Sequence, residues 1–293
     1  MDQRFLLIAN PIAGGGRGKT AAPRLRDALV ARGCEVELYF TAKASDGATR
    51  ARSVAPEDYT GVIAVGGDGT LNEVLNGLPD PSVRLGILAV GTANVMAMEL
   101  DLPRDPVELA KVLVAGRTQE AAVGLVDERR FLLFVSSGID ASVVQRVDEV
   151  RTGTQGKLKY IPSMLHVGRE WKLPELRFTT IEGATHEGFT TVVVTRVRGY
   201  AGVMKFPRGI HLGDGKLHVI GFRQRSRLQY LFAFARGIFH RLREDRDVFH
   251  VSTSGVHVES TDDDAPWQVD GEFGGRGSVD VRLDPDTTRL FVP

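Results

Sequence analysis

Of the 293 residues, one is a cysteine, Cys34, so no internal disulfide can form and a disulfide-stapled secreted scaffold is excluded. No apolar run approaches the roughly 18–20 residues that a membrane-crossing helix needs; the N-terminal run Phe5 to Ile8 is strand-sized. No secretory signal precedes it, so the chain is expected to be soluble and cytoplasmic. Charge of one sign is lacking too: 37 basic side chains balance 37 acidic ones, which argues against a general grip on nucleic acid. Lysine is scarce, 8 against 29 arginines, a bias that fits a GC-rich genome better than a function. The composition is neither collagen-like nor disordered, and with 42% hydrophobic residues there is enough apolar sequence for two domains.

Two textures divide the chain. In residues 1–120, short apolar runs alternate with helical patterns. Strands are expected at Arg4–Ala9, Glu35–Phe40, Gly61–Val65 and Arg84–Ala89. Helices are expected up to about Arg32, over Ala44–Ala55, over Leu71–Asn76, and again after the fourth strand. Strand–helix alternation implies right-handed crossovers and a parallel sheet. In residues 121–293 the runs Phe131–Ser136, Glu175–Thr180, Phe189–Val197, Lys216–Phe222, Val256–Ser260, Val279–Leu283 and Leu290–Val292 are separated by Gly, Asp and Pro turns, as in an antiparallel β-sandwich. Helical patches at Val143–Arg151 and Ser226–Arg243 interrupt them.

Three glycine turns follow strands of the first half, and the carboxyl edge of a parallel sheet is where ligands bind. The first, Asn10-Pro11-Ile12-Ala13-Gly14-Gly15-Gly16, ends in Gly18-Lys19-Thr20, yet it is no Walker A loop because Ala13 stands where that pattern needs glycine. It is no dinucleotide fingerprint either, since Lys19 stands in the last glycine position. Its amides could still cradle phosphate. The second, Gly66-Gly67-Asp68-Gly69-Thr70, opens the helix Leu71-Asn72-Glu73. An aspartate there repels a bare anion. It suits a magnesium ion lying between carboxylate and phosphates, or else a simple helix cap. The third, Gly91-Thr92-Ala93-Asn94, offers polar side chains for phosphate, ribose or base.

Taken together, these turns resemble the diacylglycerol kinase catalytic-domain family, relatives of sphingosine and ceramide kinases. The resemblance continues through Gly138-Ile139-Asp140-Ala141, Pro207 with Asp214-Gly215, and Asp270-Gly271-Glu272, and so spans nearly the whole chain. It implies an α/β N-terminal domain with a parallel sheet, of the NAD kinase and diacylglycerol kinase type. A mainly antiparallel β-sandwich C-terminal domain would follow, with the active site in the interdomain cleft. It further implies an ATP-dependent lipid kinase moving the γ-phosphoryl group to a hydroxyl of diacylglycerol or a related lipid or long-chain base, in lipid and phospholipid metabolism. ATP would contact Asn10, Pro11, Gly14, Thr41, Gly66, Gly67, Gly69, Thr70, Asn72, Glu73, Thr92 and Asn94, with Mg²⁺ near Asp68. Glu272 is favoured as proton acceptor, with Asp270 orienting it or acting as the base itself. Without the resemblance, Asp270-Gly271 would be a hairpin turn.

The family also has a structural magnesium site, matched here by the Asp214 carboxylate and the carbonyls of His211 and Lys216. Two departures stand out: Val95 where many bacterial relatives have aspartate, and Ala122 where they tend to have an acid. An NAD kinase-like enzyme and a non-catalytic nucleotide- or lipid-binding regulator remain as alternatives. A lipid kinase without a span would have to visit the membrane peripherally. Leu228, Leu231, Phe232, Ala235, Ile238, Phe239 and Leu242, flanked by Arg225, Arg227, Arg236, Arg241 and Arg243, form a basic amphipathic stripe that would lie on lipid or face a core. No nucleic-acid partner is expected, a homodimer is compatible, and the seven histidines show no metal-ligand spacing.

Overall fold

The computed structural model describes residues 3–149, 174–200, 202, 204–224, 226–239, 242–261 and 264–293. Arg151, His166, Arg225, His240 and Arg241, all part of sequence-based expectations, lie outside them. The chain divides into two compact units, Met1–Ala121 with Asp286–Pro293, and Ala122–Pro285.

The first unit is an α/β layer. Its strands β1 (Arg4–Ala9), β2 (Glu35–Phe40), β3 (Gly61–Gly66) and β4 (Arg84–Ala89) lie parallel in the order β2-β1-β3-β4. Phe5 to Ala9 and Gly61 to Gly66 are buried without a break, as expected of strands covered on both faces. Helices α1 (Ala13–Val30), α2 (Asp46–Ala51), α3 (Asp68–Gly77), α4 (Val95–Glu99) and α5 (Pro106–Ala115) connect and follow them. Asp105 caps α5 by accepting from the Val107 and Glu108 amides, with Pro106 beside it and Gly116 closing the far end at φ 70°. The chain's last residues return here: Arg289 and Leu290 pair in parallel with Arg84 and Leu85. A Cβ at Gly61 would sit 2.5 Å from the Phe291 ring, so the glycine that opens β3 makes room for that side chain.

The second unit is a sandwich. Strands β5 (Thr118–Val126), β6 (Arg129–Phe131) and β7 (Phe134–Gly138) lead into helix α6 (Ile139–Glu149). After them come β8 (Leu176–Thr180), β9 (Thr185–Phe189), β10 (Thr191–Thr195), β11 (Gly199–Tyr200), β12 (Met204–Lys205) and β13 (Leu217–Phe222). Helix α7 (Arg227–Ile238) precedes β14 (Val248–Thr253), β15 (Gly255–Ser260), β16 (Pro266–Val269), β17 (Glu272–Arg276) and β18 (Val279–Phe291). One sheet runs β14-β13-β10-β7-β16-β17, all antiparallel. The other includes β18-β15-β8-β9. Val135, Val192, Val194, Leu217 and Val219 from the first sheet pack with Phe178, Phe189, Val256, Val258 and Val281 from the second.

Several boundaries differ from the sequence-based ones. The expected strand Phe131–Ser136 is two, broken at Leu132–Leu133, where the backbone amides turn to the Asp270 carboxylate. The runs at Val279–Leu283 and Leu290–Val292 belong to one strand through Pro285. Strands β5, β9, β14 and β17 are not among the expected runs, although β14, Val248–Thr253, is rich in β-forming residues. In β17 the weak sequence Gly274-Gly275 exists because Trp267 lies across it: a Cβ at Gly274 would sit 1.9 Å from the indole. Among the described residues, no helix is long and apolar enough to cross a membrane.

Candidate active site

In a sheet ordered β2-β1-β3-β4, the direction in which successive strands are added reverses between β1 and β3, and the crevice at the carboxyl ends of those parallel strands is the expected ligand position. The three glycine turns meet at that edge. The Asn10 amide donates to the Val65 carbonyl (3.0 Å), and the Val90 and Gly91 amides donate to Gly66 (2.8 and 3.1 Å). Gly14, Gly15 and Gly16 all take the left-handed conformation, with φ 62°, 73° and 93°. A Cβ at Gly14 would lie 1.8 Å from the Val90 carbonyl oxygen, whereas at Gly15 and Gly16 it would meet open space. Regular helix begins only after them. Arg17, which no sequence pattern singled out, staples the first turn to the third: Nε donates to Gly14 (2.9 Å) and Nη2 to Val90 and Gly91 (3.0 and 3.3 Å).

Asp68 begins α3 but does not cap it. Its two oxygens accept from the Val95 and Met96 amides, both at 3.0 Å, and so fix the start of the following helix α4. Burial pushes its carboxyl above the usual range, against the pull of those amides. Asn94 is left-handed (φ 54°) and buried. Its Nδ2 donates to Gly91 (3.0 Å), while Oδ1 has no hydrogen-bond partner. Thr92 is exposed beside it, and Thr41 sits at the end of β2 with its amide on Ala9 (2.9 Å). Three residues expected at the nucleotide are engaged inside the unit instead. Thr70 is buried against Gly66, Asn72 Oδ1 accepts from Asn76 (3.0 Å), and Glu73 accepts from the Gly47 amide (3.0 Å). They hold the turn's helix in place.

In the second unit the turn between β16 and β17 separates its two carboxylates. Asp270, at φ 49°, accepts from the Leu132, Leu133 and Phe134 amides at 3.2, 3.1 and 3.0 Å. Its oxygens therefore anchor a loop. Glu272 is half exposed and paired with Arg129 Nη2 at 2.6 Å. Behind the turn, Gln268 accepts from the Gly271 amide (2.8 Å) and donates to Ser136 (2.6 Å), which in turn donates to Asp140. Tyr200 also donates to Asp140, at 2.5 Å. Burial holds the Asp140 carboxyl up and pushes the Tyr200 hydroxyl up with it. The sequence marked Asp140 only as part of a motif; Gln268, Ser136 and Arg129 carried no signal, because their roles exist only across strands.

The expected structural metal site does not fit a divalent ion. The guanidinium of Arg196 already stands there, on the Lys216 carbonyl and 3.5 Å from Asp214 Oδ1. It also donates to the Leu212 carbonyl (2.9 Å), while the His211 carbonyl accepts from the Asp214 amide (3.2 Å). The other Asp214 oxygen lies 2.6 Å from His218 Nε2. Burial would raise the Asp214 carboxyl, but His218, the Lys216 amide and Arg196 bring it below its usual value. Among the described residues, no cluster of three or more His, Cys, Asp or Glu could hold a metal.

A parallel sheet with phosphate-type turns at its switch point, coupled to a sandwich, defines a kinase-like two-unit chain. Residues 4–126 match the diacylglycerol kinase catalytic domain, and residues 133–292 match the YegS C-terminal NAD kinase beta sandwich-like domain. The chain belongs to this diacylglycerol kinase family, and with it to a general class of lipid kinases. Diacylglycerol kinases of Staphylococcus carnosus (27% identical; 94% of this chain, 90% of that protein) and Staphylococcus saprophyticus (28%; 94% and 91%) are among its relatives. In fold it is similar to a diacylglycerol kinase crystal structure from Bacillus anthracis, with TM-score 0.76 at 20% identity over 100% of this chain and 97% of that one. An NAD kinase from Archaeoglobus fulgidus in complex with ATP shares the fold at TM-score 0.57 and 14% identity, over 99% and 93%.

Proposed function

We propose that this chain transfers the γ-phosphoryl group of ATP to a hydroxyl of a membrane lipid, diacylglycerol or a related lipid or long-chain base. The observation that carries the reading is the meeting of three glycine turns at the strand-order reversal, beside an Asn94 Oδ1 that has no partner of its own. The open space at Gly15 and Gly16 lets phosphate oxygens approach backbone amides, and Asn94 Oδ1, buried without a partner, would accept from an adenine amine or a ribose hydroxyl once the nucleotide enters. Asn10, Pro11, Gly14, Gly66, Gly67 and Gly69 shape that cradle, with Thr41 and Thr92 at its rim. Mg²⁺ arriving with the nucleotide would neutralise phosphate charge, held by the remaining lone pairs of Asp68.

Phosphoryl transfer is mostly positioning, but a lipid hydroxyl must still lose its proton. Glu272 is the better acceptor, because Asp270 has its oxygens committed to three amides. The reading places the nucleotide in the first unit and the acceptor's proton on the second.

Membrane access falls to α7. Phe232 and Phe239 are 68% and 73% exposed, beside a hollow of about 860 Å³ whose lining includes Arg198, Arg208, Arg236, Arg243 and one acid, Asp245, paired with Arg236. Aromatic rings flanked by arginines suit the surface of an anionic bilayer. The deciding experiment incubates the protein with γ-labelled ATP and a total lipid extract, then identifies the labelled product by mass spectrometry. Label in a lipid, lost in Asp68→Ala, is expected. Conversion of NAD to NADP instead, or tight ATP binding with no labelled lipid, would overturn the proposal.

A further inference from the structure

Arg196 is the largest of the fully buried side chains among the described residues. It follows β10, with its amide on the Leu133 carbonyl at 2.8 Å. Burying a guanidinium without partners is prohibitive, and here every direction of the fork is answered. Nε and Nη2 donate to the Ala122 carbonyl at 3.2 and 3.1 Å, Nη2 to Leu212 at 2.9 Å, and Nη1 to Lys216, with Asp214 supplying the counter-charge. Three carbonyls and one carboxylate are the hard-oxygen set that a divalent ion takes in other proteins.

We propose that the Arg196 guanidinium is a built-in cation that organises the Leu212–Lys216 turn in place of a metal, so that the second unit holds this turn without a divalent ion. Ala122 fits this arrangement. An acid there would add a second carboxylate beside one monovalent cation, whereas Ala122 contributes only its carbonyl, and Arg196 uses it twice. The fork also fixes two chain segments at once, residue 122 and both ends of the Leu212–Lys216 turn, which a lysine's single ammonium could not span. The inference concerns the second unit alone and stands whether or not the kinase reading does.

The test is metal dependence of the nucleotide-free protein. After exhaustive chelation and dialysis, melting in EDTA and in millimolar Mg²⁺ or Ca²⁺ should agree within about 1 °C, and elemental analysis should find no stoichiometric divalent ion. Arg196→Met, which removes the counter-charge beside Asp214 and leaves the carbonyls without their cation, should lower the melting temperature by roughly 10 °C in EDTA, and Arg196→Lys should lower it less. A metal-dependent rise of several degrees in the wild type that Asp214→Asn removes would overturn the proposal. So would an Arg196→Met protein that melts like wild type in EDTA. The wild-type and Asp214→Asn comparison remains decisive if Arg196→Met does not fold.

Discussion

Replacing Asp270 by asparagine and Glu272 by glutamine should damage two different properties. Asp270 accepts three amide bonds of 3.0–3.2 Å from residues 132–134, and it does so from a left-handed backbone that asparagine tolerates well. Asparagine keeps one acceptor oxygen but loses the charge, and it turns an amide group toward the Leu132 or the Leu133 and Phe134 amides. At about 1–3 kcal/mol for each part-buried donor left unpaired, the expected loss is roughly 3 kcal/mol. For a unit of this size that corresponds to a melting temperature lower by about 10 °C. Glu272 has a side chain 51% exposed and makes one surface ion pair with Arg129. Losing that pair costs about 1 kcal/mol at most, a shift of no more than about 4 °C. If Glu272 accepts the proton, however, Glu272→Gln should lower kcat by about 10²–10⁴ with little change in KM for ATP. Calorimetric melts and initial rates of labelled-lipid formation, below the melting point of each variant, separate the two effects. An Asp270→Asn protein that melts normally yet loses turnover as steeply as Glu272→Gln would refute this division of roles.

Two further expectations rest on the second unit. Burial holds the Asp140 carboxyl above its ordinary value of 3.8, so the folded chain keeps a proton that the unfolded chain has released. That contribution is full below pH 3.8 and is lost as pH rises through the higher folded value; Asp140→Asn should therefore flatten the decline, as urea midpoints across pH 4–8 will report. Phe232→Asp with Phe239→Asp should cut turnover on anionic vesicles roughly tenfold while leaving it unchanged on short-chain, detergent-dispersed substrate; equal loss on both would count against α7 as the membrane face.

Much of the fold was legible because its signals are local. Arg4–Ala9, Glu35–Phe40 and Arg84–Ala89 are strands at the expected residues, since each is an apolar run bounded by a turn. Helices were misjudged at their ends: α2 is shorter than Ala44–Ala55, and α3 starts at Asp68, before Leu71. The basic stripe divides where its side chains are described: Leu242 is buried, Ala235 half-buried, and Phe232, Ile238 and Phe239 exposed.

The amino-acid sequence by itself determined the strand–helix alternation, the three glycine turns and the two acidic turns of the second half, because glycine conformations and apolar periodicity are properties of neighbours in the chain. It also showed the scarcity of one-signed charge and of cysteine, but net charge said nothing about placement. Only the tertiary structure decided which partners each carboxylate meets. Asp270 and Glu272 are two residues apart, yet one anchors amides brought from residues 132–134 and the other faces solvent beside Arg129. Likewise the family resemblance gives Asp214 as a metal ligand, and the cation it meets is Arg196, 18 residues away. Partnerships between distant segments are set by strand pairing and packing, and no spacing rule encodes them.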